Sequence, residues 1–192
     1  MAIITDEHAS TLRFACTPVA RSEEGPYDAY DLAVWDDGHQ IFAHQYNVNG
    51  WQAGHSEVWK MARAFQASAR LVDATVPVDL WDLRTKHPDF GEPMTLAVSV
   101  LWMKLILSGR TTLRDATPEI DAEIYLWTDN DRYSESNVPS DSRLRNYACL
   151  RMTFGVEEAR AFGRELAAEC VDAQKRRRAL GIHHYDDHLD FY

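Results

Sequence analysis

The densest collection of metal-ligand side chains falls in residues 182–192, where His183, His184, Asp186, Asp187, His188 and Asp190 stand close together. A strand over this stretch sets His184, Asp186, His188 and Asp190 on one face, and a helix stacks His184 over His188. Either geometry brings two imidazoles and a carboxylate within reach of one ion, a donor set that suits metal-assisted hydrolysis. The competing reading is a terminal extension whose histidines and acids are solvated and whose Leu189, Phe191 and Tyr192 dock on the chain's own domain or on a second subunit.

A second group opens like a calcium loop, with Asp129, Asp131 and Glu135. Such a loop needs Gly at its sixth position and Glu at its twelfth, and here those are Ser134 and Ser140. Asp129, Asp131, Tyr133 and Glu135 are therefore read as an acidic loop that offers contacts to a partner protein. Trp51, set between Gly50 and Gly54 in a polar stretch, is the tryptophan least assured of burial and the natural interface anchor. Nucleophilic chemistry has no G-x-S-x-G to rest on, and phosphate binding has no P-loop spacing. The abundance of acids makes any carboxylate pair uninformative, and no cofactor is expected.

Bulk charge narrows the partner. Lys and Arg number 20 against 30 Asp and Glu, a formal charge of -10, which opposes nucleic acid and anionic membranes and favours another, basic protein. The three cysteines are unpaired in number and lack a C-x-x-C, as expected of reduced thiols in the cytoplasm. Residues 1–10 have neither a basic nor an apolar leader region, so no secretory signal is expected. The longest apolar run, 96–107, is short of the roughly 20 residues a bilayer requires and contains Lys104.

The elements that would position these groups are clearest at 146–180. Residues 147–154 alternate, with Ala148, Leu150, Met152 and Phe154 facing a core and Tyr147, Cys149, Arg151 and Thr153 facing away. After Gly155 the period turns helical, and Val156, Ala159, Phe162, Leu166, Ala167, Cys170 and Ala173 form one stripe. Glu157 and Glu158 suit the helix start, Lys175 and Arg176 to Arg178 its end, and Gly181 its stop.

Upstream, Leu12, Phe14 and Cys16 define a strand that Pro18 is expected to end. A hairpin follows over 27–48, turning at Asp36, Asp37 and Gly38. Ser56 is placed as the N-cap of a helix over 57–70, with Val58, Met61, Ala62 and Phe65 inward and Trp59 flanking. The run 94–107 is read as one strand buried on both faces, in preference to a helix between Pro93 and Gly109. Residues 121–128 are expected to form another strand, with Ile124 and Leu126 on one face and Tyr125 and Trp127 on the other. The tetrapeptide Ala-Arg-Ala-Phe occurs at 62–65 and again at 159–162, consistent either with a duplicated β-β-β-α half or with chance in Ala-rich helices.

The expected fold is a single α+β domain over 1–192 with a tail at 182–192. Its mostly antiparallel sheet has about six strands, and both helices pack on one face. The expected function is that of a non-enzymatic, acidic protein-binding domain, inhibitor-like or adaptor-like, acting through a sheet face and the 129–142 loop. The alternatives are a metal-dependent hydrolase built on His184, Asp186 and His188, and a homo-oligomeric structural protein, with a homodimer as the simplest assembly. Metal analysis separates the hydrolase: an ion held by the tail appears stoichiometrically in the purified protein and is lost from the His184→Ala, His188→Ala double variant.

Overall fold

The computed structural model describes residues 1–6, 12–20, 28–48, 54–72, 84–86, 95–100, 103–111, 117–127 and 147–181. Within them the chain runs β1 (Ala2–Thr5), β2 (Arg13–Ala20), β3 (Asp28–Asp36), β4 (His39–Val48), α1 (Gly54–Ala67), β5 (Arg84–Lys86), β6 (Thr95–Val100), β7 (Met103–Thr111), β8 (Pro118–Trp127), β9 (Tyr147–Gly155) and α2 (Val156–Ala179). The α+β class holds, but the single sheet of about six strands does not. There are two antiparallel sheets, ordered β1-β2-β3-β4 and β5-β6-β7-β8-β9. Each is a meander that ends in a helix. The helix following β4 carries the chain off the first sheet, so the later strands begin a sheet of their own.

Each helix packs largely against the other half's sheet. α2 follows the second sheet yet lies mainly on β1 and β2, with further contact to β8 and β9, while α1 follows the first sheet and lies mainly on β6. The two helices also pack on each other, and the repeated tetrapeptides meet at that crossing. The rings of Phe65 and Phe162 stand edge-to-face with centroids 4.8 Å apart. Phe162 in turn meets Phe14 of β2, and Phe65 meets Phe154 of β9, each at 6.2 Å. Four buried rings thus tie both sheets and both helices into one apolar core.

The core faces follow the alternation in the sequence. Phe14, Cys16, Tyr30, Leu32 and Val34 are buried in the first sheet, and Leu105, Leu107, Ile120, Ala122, Ile124, Leu126, Leu150, Met152 and Phe154 in the second. The register pairs Ile120 with Phe154, Ala122 with Met152 and Ile124 with Leu150. On α2 the buried stripe is Ala159, Phe162, Gly163, Leu166, Ala167, Cys170, Ala173, Gln174 and Arg177. Twenty-four residues give a helix of about 36 Å, long enough to reach from β9 across the first sheet. Arg177 departs from the expected solvated basic end, because it falls on the inner stripe and is only 2% exposed.

Four local readings are corrected. Pro18 does not end β2, which continues to Ala20; β1 reaches only as far as Cys16, so beyond it β2 is locally an edge and its missing N–H breaks no ladder on that side. β1 itself, four residues long, was not anticipated. Ser56 does not cap α1, which begins at Gly54 and ends by tightening into a 3-10 turn over Ser68–Leu71. The 94–107 run is extended but forms two strands: β6 and β7 pair as a hairpin, Thr95 opposite Ser108 and Val100 opposite Met103. An apolar run that folds back on itself supplies its own neighbour. The Asp-Gly hairpin is as expected, with Asp37 and Gly38 at φ 46° and 79°, both in the left-handed region that a tight two-residue turn demands.

Gly163 sets how closely the helices approach. A Cβ there would lie 2.7 Å from the Ala62 carbonyl oxygen and 2.7 Å from the Gln66 amide nitrogen, both backbone atoms of α1. The Gln66 side chain also donates to the Gly163 carbonyl oxygen at 3.1 Å. Alanine normally improves a helix interior by about 1 kcal/mol over glycine. Here Gly163→Ala is expected to destabilise by about 1–3 kcal/mol net of that gain, because the helices must separate, and Phe162→Ala by about 3–5 kcal/mol, both read from denaturant midpoints.

Candidate functional site

Alternation in the second sheet directs a second set of side chains away from the core. The register lines them up in rows across β7, β8 and β9: Lys104, Tyr125 and Cys149; Ile106, Glu123 and Arg151; Ser108, Asp121 and Thr153; then Arg110 beside Glu119. This outer face carries several polar side-chain contacts between neighbouring strands.

Glu123 is its centre. The Tyr125 hydroxyl donates to Glu123 Oε2 at 2.8 Å, and Arg151 Nε lies 3.2 Å from Glu123 Oε1, so one carboxylate holds neighbours along and across the strands. One row further, the Thr153 hydroxyl donates to Asp121 Oδ1 at 2.8 Å, and Arg110 Nη1 approaches the same oxygen at 3.9 Å. Arg110 Nε also reaches within 4.0 Å of Glu119 Oε2. Exposure is graded across the face. Arg151 is 77% exposed at its side chain, whereas Lys104 is buried although alternation puts it on this side. The edge of β9 is held from the other sheet, because the Thr153 amide donates to Asp6 Oδ2 at 2.8 Å just beyond β1.

Neither Tyr125 nor Cys149 is activated as a nucleophile. Burial first, and then the bond to Glu123, push the Tyr125 hydroxyl well above the usual phenol range. The Cys149 thiol is raised by burial and by the Glu123 charge, against the lowering influence of Tyr125 and Arg151. An activated nucleophile needs the opposite shift. What remains is a mesh of paired acids, bases and hydroxyls held by their strands, which can present hydrogen-bonding groups to another surface in a set arrangement.

Among the described residues no group of three or more His, Cys, Asp or Glu side chains is placed to hold a metal ion. The residues singled out from the sequence, Trp51, Asp129, Asp131, Tyr133, Glu135, His184, Asp186 and His188, lie outside the described residues. The 129–142 loop is nonetheless tied to this face by chain order, since β8 ends at Trp127 and β9 begins at Tyr147, beside the row of Tyr125 and Cys149. Sequence reading missed Arg110, Glu119, Asp121 and Glu123. The signal was there in the alternation of Glu119, Asp121 and Glu123 with Ile120, Ala122 and Ile124, but only the register sets Arg151 against Glu123.

No family model matches the chain, and neither a curated protein nor a solved structure matches it significantly. No helix among the described residues is long and apolar enough to cross a membrane.

All three cysteines are free, with Cys16 and Cys170 buried and Cys149 exposed. In the native protein a thiol reagent is expected to label Cys149 alone, and slowly for an exposed thiol; in urea all three should react, as peptide mapping would show. Burial raises Cys16 and Cys170 above the ordinary thiol value of 9.0. The folded state thus favours the protonated thiols, and the resulting stability is complete below pH 9 and declines as pH climbs past it. Denaturant midpoints measured from neutral to alkaline pH should show that fall.

Proposed function

We propose that the chain is a non-enzymatic protein-binding domain that engages a basic partner protein through the outer face of the second sheet, together with the 129–142 loop that leaves it. The single observation that carries this reading is the mesh around Glu123, in which side chains of Tyr125, Arg151, Asp121 and Thr153 on two neighbouring strands are joined to one another. Groups ordered before binding lose less entropy on association than free surface chains do, which is the condition for specific polar recognition. The net charge of -10 adds long-range attraction toward a basic partner. Tyr125 and Cys149, both raised, stay protonated across neutral pH. Free thiols in an all-reduced set support a cytoplasmic setting.

The test is affinity capture from the source organism with two baits, the native chain and a Glu123→Lys, Arg151→Glu double variant. The swap preserves net charge and leaves the buried core untouched. A partner held by the native bait and lost, or weakened about tenfold or more, on the variant supports the reading. Equal recovery on both baits would remove the face from the interface. With the isolated partner, the association rate should fall as salt rises through the range where screening lengths drop to about 10 Å.

A further inference from the structure

The two sheets have four outer edges, and three of them are protected against pairing with another chain. β1 is only four residues long, and β5 is three residues long with Arg84 and Lys86 among them. β9 is long, but it carries Arg151 and its outward Thr153 amide is taken by Asp6. Short length, charge and capping are the usual means by which proteins keep sheet edges from associating.

β4 is neither short nor charged, no cap lies on it among the described residues, and its one irregularity is a bulge at Ile41. It is ten residues long, it is hydrogen-bonded to β3 on one side, and it stands last in its sheet. Its sequence, His39–Val48, contains no Asp, Glu, Lys, Arg or Pro, in a chain of which 26% is charged. Its side chains at Ile41 and Ala43 are exposed, Ile41 by 61%, and Phe42 on the core face is only half buried. The register shift between Val34 and Trp35 leaves Ile41 without a partner residue on β3. Along such an edge every second residue directs its N–H and C=O away from β3.

We propose that β4 is the interface of a homodimer, in which two copies pair antiparallel along this strand and join their first sheets into one of eight strands. The occupant is a second copy because of charge. Two chains of -10 repel, so self-association is least opposed where the meeting surface has no formal charge of its own, and β4 is a ten-residue strand without any. A charged foreign partner would find nothing on β4 to steer it. A two-fold axis also makes a strand antiparallel to its own copy, the sense in which every pair of this fold is already built. The surface is separate from the Glu123 face and does not depend on the function proposed for it.

Sedimentation equilibrium of the full chain over a dilution series, compared with an Ile41→Lys, Ala43→Lys variant, tests this. Both substituted side chains are exposed, so the variant should keep the native circular dichroism. The native chain is expected at twice its 22.0 kDa mass, with the variant monomeric or its dissociation constant raised about tenfold or more, as like charges opposed across strands are destabilising. The Glu123→Lys, Arg151→Glu variant should dimerise as the native chain does. A native chain that stays monomeric at every concentration overturns the proposal, and so does a folded lysine variant that dimerises unchanged. Should the lysine variant fail to fold, the single Ala43→Lys chain decides. Its dissociation constant rises about tenfold or more if β4 strands face each other and is unchanged if they do not.

Discussion

The edge-to-face contact of Phe65 with Phe162 is the joint on which the rest of the architecture hangs. Each ring belongs to a helix that leaves one sheet and touches an aromatic of the other, Phe162 on Phe14 and Phe65 on Phe154. Neither sheet can bury its inner face with the helix it feeds alone. The contact is possible because Gly163 has no side chain, so the backbone of α1 passes where a Cβ would stand. Two ordinary amphipathic helices therefore become an exchange between halves, and the core is continuous through the crossing.

That exchange explains why polar groups are distributed as they are. With the inner faces of both sheets committed to one core, the outer faces and edges are what remain for solvent or partners. The second sheet fills its outer face with acids, arginines and hydroxyls paired across strands, and Asp6 reaches from the first half to hold the edge of β9. On the outer face of the first sheet Arg13 lies over the Trp35 ring at 5.5 Å, with Ala15 opposite Ala33 and Thr17 opposite Asp31 in the rows beside it. The contrast is chemical. One sheet offers directional contacts and the other an uncharged edge.

Tyr125 and Cys149 hold their protons more tightly than a free phenol and a free thiol do, the reverse of what an activated nucleophile requires. A carboxylate that accepts a phenol proton as a hydrogen bond stabilises the protonated phenol, and the same negative charge discourages a thiolate nearby. Burial is the larger cause of both shifts, and Glu123 adds to it.

Much of the local structure was legible in the residues. The alternation of 147–154, the stripe from Ala159 to Ala173, the stop at Gly181 and the Asp-Gly hairpin follow from side-chain period and from backbone preferences, which act over a few positions and need no distant partner. The class, α+β and largely antiparallel, follows from the same signals. The division into two sheets, the hairpin hidden in 94–107, the passage of β2 through Pro18 and the meeting of the two Ala-Arg-Ala-Phe segments did not. Each depends on which surfaces lie against one another after the chain has crossed itself, and an apolar residue reads alike whichever sheet it is buried against. The face around Glu123 is of the same kind. Its acids and arginines were visible one by one, but antiparallel register alone decides that Arg151 of one strand answers Glu123 of another.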